Sequence, residues 1–346
     1  MHSALQPPQL DPAPVFELFR GAHATELLTA AVAHFNVFSR LADGPLPASQ
    51  LQSELNLQDR PMVVLFTALK AMGLLAERAG FLQLTPLAAE HLVPGGAFDV
   101  GDYLGLAAQS PGVLVMVERL KTNRPAGADA SGNGVAFIYR DGMASAMEAA
   151  DSARHLTLAL AGRAKNVAPV LAEKLPLDGV RTLLDVGGGT GIYSFALLQK
   201  NPHLNAIVLD RPEVLKIAAE LAEQYGIADR LELLPGDMFE SPLPAADAVL
   251  LSNILHDWDV PECRSLVQRC ASILPAGGRL VIHDVFLNDA LDGPLPIALY
   301  SASLFTLTEG RAYSAAEYRE WLSTAGLRCD AVIPTLAHCG VLSARR

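Results

Sequence analysis

Leu183-Leu184-Asp185-Val186-Gly187-Gly188-Gly189-Thr190-Gly191 is the stretch on which the fold turns. A short apolar run ending in an acid passes directly into a glycine-rich loop and then into the helix-patterned residues 192–199. Glycines in that context let the backbone turn tightly and approach a ligand, with a helix N-terminus alongside. The dinucleotide fingerprint G-x-G-x-x-G does not fit. Counted from Gly187 its third glycine falls on Ile192, and counted from Gly189 it falls on Ser194. What stands here is Asp-x-Gly-x-Gly-x-Gly, which suits a ligand with an ammonium group and no pyrophosphate. A purely structural turn would use the same residues.

Outward from this loop the texture is regular. Apolar strands are expected at 182–186, 206–209, 231–234, 248–251 and 280–285, alternating with helices near 192–199, 212–225, 261–273 and 315–324. This is a doubly wound α/β pattern with a largely parallel sheet. Segments 329–333 and 340–343 are expected to add an antiparallel edge. The second strand ends in Asp210, where a carboxylate can accept both hydroxyls of a ribose; an N-cap before Pro212 is the plainer role. After the third strand come Asp237, Met238 and Phe239. Asp237 can accept from an adenine amino group and Met238 can lie against the ring, or Asp237 is only a turn residue. The fourth strand leads into Ser252-Asn253-Ile254-Leu255-His256-Asp257-Trp258. His256 can take a phenolic or enolic proton near neutral pH, or it packs on Trp258 and positions the loop.

The N-terminal hundred residues differ. Helical periodicity at 15–38, 48–55 and 61–72 is followed by short apolar segments at 74–76 and 81–84, the plan of a winged helix. The first ten or so residues are expected to form a loosely tethered tail. Residues 1–100 hold Arg20, Arg40, Arg60, Lys70 and Arg78 against nine acidic residues. The segment 61–72 is nearly all apolar, unlike a helix that reads base edges and phosphates. The formal charge of the 346-residue chain, −11, also argues against nucleic-acid binding. Domains are expected at 1–100, 101–175 (a helical linker contributing to a substrate pocket) and 176–346. Residues 121–134 are loop chemistry throughout. No apolar run reaches the roughly 18 residues of a membrane span. Four cysteines form no C-x-x-C pair, and with no secretory leader in view the expected location is cytoplasmic.

Six ordered blocks, LLDVGGGTG, VLDRPEV, LPGDMFE, LSNILHDWD, LPAGGRLVIHD and EGRAYSAAEYREWLSTAGL, resemble the plant and bacterial small-molecule O-methyltransferases, the caffeic-acid and hydroxyindole O-methyltransferase family. The resemblance runs from about Val15 to the C-terminus. It implies a Rossmann-like S-adenosylmethionine methyltransferase domain and an N-terminal winged-helix domain that forms a homodimer. It also implies that Asp185, Gly187, Gly189, Asp210, Asp237, Met238, Phe239 and Ser252 surround S-adenosylmethionine, with His256 as general base and no metal required. Plant members flank that histidine with two glutamates. Here the matching positions hold Asp284 and Ala312, so Asp284 is the supporting carboxylate and the second support is absent. That departure leaves room for carbon methylation or a non-methylating role. The winged helix leaves room for a cofactor-sensing transcriptional regulator. Metal ligation by His256-Asp257 and His283-Asp284 is disfavoured, because His283 and Asp284 alternate across a strand. Acceptor-side candidates are Tyr139, Met143, Met147, Asn253, Tyr300 and Leu304, any of which could equally be core packing. Their character favours a flat, mainly apolar acceptor.

Overall fold

The computed structural model describes residues 2–124 and 150–346. By contact the chain divides into two compact units: residues 1–16, 137–286 and 315–346 form one, and residues 17–136 and 287–314 form the other. This division falls elsewhere than at 100 and 175. The segment after the fifth long strand, expected with the C-terminal domain, groups with the N-terminal half.

The first unit is built on a twisted sheet. Its strands are β1 (Thr182–Val186), β2 (Asn205–Asp210), β3 (Leu231–Pro235), β4 (Ala248–Ser252), β5 (Arg279–Leu287), β6 (Arg328–Cys329) and β7 (Cys339–Arg345). The order is β6-β7-β5-β4-β1-β2-β3. β1 to β5 pair in parallel, and β7 runs antiparallel to β5. The central strands are mostly apolar because both faces are covered, with Asp185 on β1 and His283 and Asp284 on β5 among the polar exceptions. Leu183, Leu250, Val281, Phe195 and Leu171 share one buried cluster. The chain order reverses between β1 and β4, so the crevice of an open α/β sheet lies at their C-terminal ends.

The expected 329–333 strand is two short pairings, Arg328–Cys329 and Ile333–Pro334, both against β7. β7 lies inside the sheet, with β6 at the edge. The expected loose N-terminal tail is docked on this unit instead. The amide of Ala4 donates to Gln199 Oε1 at 2.8 Å, that of His2 to the Gln224 carbonyl at 2.9 Å, and Ala4 is buried.

In the second unit helices Ala48–Glu54 and Asp59–Ala71 precede the hairpin Leu75–Arg78/Phe81–Leu84, to which Leu46–Pro47 adds a third strand. Helix, turn, helix and ribbon follow the winged-helix plan. Val64, Leu65, Phe66, Ala68 and Leu69 are buried, so the helix that a DNA reader would expose serves as core. Arg60 is internal too, donating to Asn123 Oδ1 at 2.8 Å and to the Thr308 carbonyl at 3.1 Å. The continuous periodicity at 15–38 is broken into Ala13–Arg20, Ala22–Thr29, a π-turn at Ala30–His34 and Val37–Arg40, with Asn36 left-handed at φ 52°. Two helices lacked a readable stripe, Pro111–Thr122 and Leu295–Leu307. The latter is apolar on nearly every side and contributes Phe305 to the core, which leaves no polar face to mark a period. Among the described residues, no helix is long and apolar enough to cross a membrane.

Candidate active site

The glycine loop departs from β1 and leads into helix Ile192–Lys200. Gly187, Gly189 and Gly191 have φ of 67°, 58° and 75°, the left-handed region that side chains resist. The four glycines are not equivalent. A Cβ on Gly187 would stand 2.6 Å from Ile254 Cδ1, one on Gly188 2.7 Å from the Asp185 carboxyl, and one on Gly191 2.5 Å from the Phe195 ring. At Gly189 it would meet nothing within 4 Å. Three glycines are therefore required by the protein's own packing, and Gly189 is the one that faces open space.

Asp185 lies beneath this loop, 1% exposed. Its Oδ2 accepts from Ser194 Oγ at 2.7 Å, while Oδ1 is buried with no hydrogen-bond partner. Burial pushes its pKa up to about 7, against the Ser194 hydrogen bond and with help from the charge of Asp210. Expected beside an ammonium group, Asp185 is shielded from direct contact in this conformation and supports the loop from below.

Asp210 ends β2 with its carboxylate half-buried. Oδ2 accepts from the amide of Gly189 at 2.8 Å and Oδ1 from that of Arg211 at 2.7 Å. The N-cap of helix Pro212–Tyr225 is Arg211, so capping is not what holds Asp210. Burial raises its pKa while those two amides oppose the rise. Each oxygen keeps a lone pair, which is what a diol needs. One strand over, the Gly236 amide donates to the Asp210 carbonyl at 3.0 Å. Asp237 Oδ1 accepts from the Phe239 amide at 2.7 Å, closing a turn that leaves Asp237, Met238 and Phe239 all partly exposed. Phe239 stands edge-on to Trp258, 4.8 Å between ring centres. A carboxylate, a thioether and an aromatic ring thus stand together in the one turn that follows β3.

Beyond β4 the backbone turns through a left-handed Asn253, φ 57°, and His256 falls in the short 3₁₀ turn Leu255–Asp257. Its Nδ1 lies 2.6 Å from Oδ1 of Asp284 on β5. His256 is 4% exposed and Asp284 fully buried, so the pair is shielded from water. Asp284 is further held by the Val285 amide at 2.8 Å on Oδ1 and by the Tyr318 hydroxyl at 3.2 Å on Oδ2. Burial alone would lower the pKa of His256. The charges of Asp284 and Asp257 outweigh it, and the imidazole titrates above its ordinary value. Burial likewise would raise Asp284, but the charge and hydrogen bond of His256 hold it below the usual carboxylate range. Asp257, 3.7 Å from His256 Nε2, is pushed by burial up to about 6. Nδ1 thus faces Asp284 and Nε2 lies on the side of Asp257.

The same region holds a polar network that sequence reasoning missed in part. Arg163, on helix Ala150–Lys174, donates to Asn253 Oδ1 at 2.5 Å and approaches Cys339 Sγ at 3.0 Å. Asn253 Nδ2 donates to the Tyr193 hydroxyl and to Ser252 Oγ, both at 3.2 Å. Ser252 Oγ and His283 Nδ1 are 2.8 Å apart. His283 is lowered to about 3 by burial and by the charge of Arg163, so it stays neutral. As strand alternation requires, His283 joins Ser252 while Asp284 joins His256. Arg163 lies some ninety residues before Asn253 in a long amphipathic helix and carries no local signal. In this structure Ser252 and Asn253, expected at cofactor and acceptor, have these internal partners.

Tyr139, Met143 and Met147 lie outside the described residues. Tyr300 and Leu304 belong to the second unit. Arg20 stands 3.7 Å over the Tyr300 ring, and Leu304 is buried. Ala312 is fully buried in that unit, its amide donating to Ser301 Oγ at 3.1 Å, and its methyl offers no acid–base chemistry. Among the described residues, no group of three His, Cys, Asp or Glu side chains could hold a metal ion.

A parallel sheet reversing between β1 and β4, with an acid-and-glycine edge and a buried histidine–carboxylate pair beyond β4, defines a Rossmann-like S-adenosylmethionine-dependent methyltransferase. Comparison with known proteins makes this specific. Residues 129–328 match the O-methyltransferase domain family, and the chain belongs to that family. It is 35% identical to a 3-hydroxy-5-methyl-1-naphthoate 3-O-methyltransferase of Streptomyces sahachiroi, over 94% of this chain and 92% of that one. It is 32% identical to an L-tyrosine C(3)-methyltransferase of Streptomyces lavendulae, over 88% and 84%. Among solved structures it resembles an O-methyltransferase family 2 protein of Planctomyces limnophilus in complex with apigenin. The two are 52% identical with a TM-score of 0.90, covering 100% of this chain and 99% of that one. The protein is an O-methyltransferase with S-adenosylmethionine as cofactor.

The fit of that cofactor rests on the strand ends themselves: the open side of Gly189, the two free lone pairs of Asp210 and the partly exposed Asp237–Phe239 turn.

Proposed function

We propose that the enzyme methylates a hydroxyl of a small, flat aromatic or polyketide-like molecule, with His256 as general base. The single observation that supports this is the buried 2.6 Å contact of His256 Nδ1 with Asp284, which favours the tautomer with its proton on Nδ1. The naphthoate methyltransferase and the apigenin complex support an aromatic acceptor.

In this reading Gly187, Gly189, Asp210, Asp237, Met238 and Phe239 hold the cofactor, Asp185 and Ser252 support them, and Arg163 supplies the cation nearest the network. The bound cofactor supplies an electrophilic sulfonium methyl. His256 Nε2 takes the acceptor's hydroxyl proton, and the imidazolium so formed is stabilised by Asp284. The raised pKa makes His256 a stronger base but also keeps it protonated on the acid side, so turnover should rise with pH through a value above 6.5. Catalysis is otherwise positioning: the oxygen is held in line in a site shut off from water.

Asn253, beside the His256 turn, is proposed to shape the acceptor side. The winged-helix unit is proposed to form a homodimer. Leu18, Phe19, Tyr103 and Leu106 are 75% or more exposed there, apolar side chains that a second copy would cover.

The test is a panel of flavones, hydroxynaphthoates and simple phenols with labelled cofactor, in wild type and His256→Gln. Methyl transfer to none of them, with cofactor still bound, would refute the acceptor class. Full activity in His256→Gln would refute the base. A second reading, methylation of a ring carbon ortho to a phenol, is favoured by the tyrosine C-methyltransferase relative. Product NMR separates it, since aryl-methyl and methoxy protons resonate apart.

A further inference from the structure

We propose that Tyr318 is a positioning residue for the His256–Asp284 pair: its phenol hydrogen-bonds the carboxylate oxygen opposite the one His256 uses, and so sets how strongly Asp284 pulls on the imidazole. The proposal deepens the general-base reading and rests on it for its catalytic consequence.

Asp284 accepts at Oδ1 from His256 and from the Val285 amide, and at Oδ2 from the Tyr318 hydroxyl at 3.2 Å. The phenol therefore donates to the oxygen that the histidine does not touch. A carboxylate gripped at both oxygens cannot rotate, and Oδ1 stays aimed at Nδ1. The phenol is itself immobile. Tyr318 is fully buried on helix Ala315–Thr324. Its ring is edge-on to Phe286 at 5.6 Å and to Trp321 at 5.3 Å between centres. Phe286 lies two residues past Asp284 on β5 and so shares its face. Trp321 lies one turn along the helix from Tyr318. Strand and helix together leave the hydroxyl facing the carboxylate.

The hydroxyl also tunes the pair. A donor on Oδ2 draws charge away from Oδ1 and makes Asp284 a weaker acceptor for His256. Removing it concentrates the charge on Oδ1, so the imidazole should hold its proton to higher pH. The charged groups acting on His256 are Asp284 from β5, Asp257 from its own turn and Arg163 from helix Ala150–Lys174. Tyr318→Phe changes none of these and keeps the ring between its aromatic neighbours.

The experiment is an NMR titration of ¹⁵N-histidine-labelled full-length protein, the His256 signal assigned by its loss in His256→Gln. In Tyr318→Phe its midpoint should rise by about half a pH unit, with the Nδ1–H tautomer more populated, since the donor that drew charge away from Oδ1 is being removed. Turnover at pH 7 should fall by up to about 3-fold and its acid limb move up by the same half unit, with the KM for the cofactor unchanged. An unchanged midpoint and tautomer would overturn the proposal, because a residue that only packs would not move them. Should Tyr318→Phe fail to fold, 3-fluorotyrosine at the same position gives the complementary test. Its more acidic phenol should move the midpoint down, and no movement is the same refutation. The titration needs no substrate, so it stands or falls apart from the base assignment, which His256→Gln decides through activity.

Discussion

Replacing Asp284 by Asn tests the centre of the site most directly. The carboxylate is fully buried and accepts a hydrogen bond from His256 Nδ1 across 2.6 Å. Proton transfer makes an imidazolium, and the 2.6 Å contact then becomes a charge-assisted hydrogen bond between opposite charges. Such bonds contribute about 1.5–3 kcal/mol. At about 1.4 kcal/mol per tenfold, their loss from the transition state predicts a fall in kcat of about 10- to 150-fold. Asparagine is nearly isosteric, so the Val285 and Tyr318 donors keep an acceptor only if the amide oxygen faces one of them. In the other orientation its NH₂ faces Nδ1 and favours the tautomer with the proton on Nε2, which cannot act as a base. The pH profile carries a second, signed expectation. Burial now dominates His256, so its pKa drops and the acid limb moves to lower pH, opposite to the shift expected for Tyr318→Phe. The assay is initial-rate release of S-adenosylhomocysteine across pH 5.5–9 (roughly the range where such histidines titrate), with calorimetric cofactor binding as the folding control. A kcat within threefold of wild type, or a limb that does not move, would refute the pairing as the source of basicity.

Asp185 titrates near pH 7 folded and near the ordinary carboxylate value of about 3.9 unfolded. Between those values the folded state binds more protons, so stability declines as pH rises from about 4 to about 7. Asp185→Asn should flatten that decline and leave the variant more stable than wild type at pH 8, by on the order of 1–4 kcal/mol in chemical unfolding; an unaltered pH dependence would show that the carboxyl is not the group responsible. Gly191→Ala drives a Cβ to 2.5 Å from Phe195 at φ 75° and should cost about 2–4 kcal/mol. Gly189→Ala, facing open space, should cost only about 1–2 kcal/mol of backbone strain while weakening cofactor binding, and equal stability losses for the two would contradict the loop geometry. Asp210→Asn removes half of the acceptor capacity that a diol and two amides share, and calorimetry should show cofactor affinity falling about 10- to 100-fold; a change under twofold would take Asp210 out of the cofactor site.

Much of this protein was legible in the linear chain. The five parallel strands, the glycine loop and the acids at the strand ends could be located because each depends on local chemistry: a strand buried on both faces is mostly apolar, and a left-handed turn selects glycine. His256 and Asp284 could be paired only through a family resemblance, since 28 residues and a helix separate them. Periodicity failed where it had no contrast to work with, as in helix Leu295–Leu307, whose faces are nearly all apolar.

Tertiary structure alone decided the rest. It divided the glycines into three demanded by Ile254, Asp185 and Phe195 and one that faces open space. It grouped residues 287–314 with the N-terminal half, docked the first residues onto Gln199 and Gln224, and brought Arg163 to Asn253 and Tyr318 to Asp284. Those assignments rest on distances between groups far apart in the chain, and a one-dimensional pattern does not encode which buried donor finds which buried acceptor. The sequence placed a histidine after the fourth strand and a carboxylate on the fifth, with only a family resemblance to pair them; the packing of one helix against β5 decided that a phenol holds the carboxylate from behind.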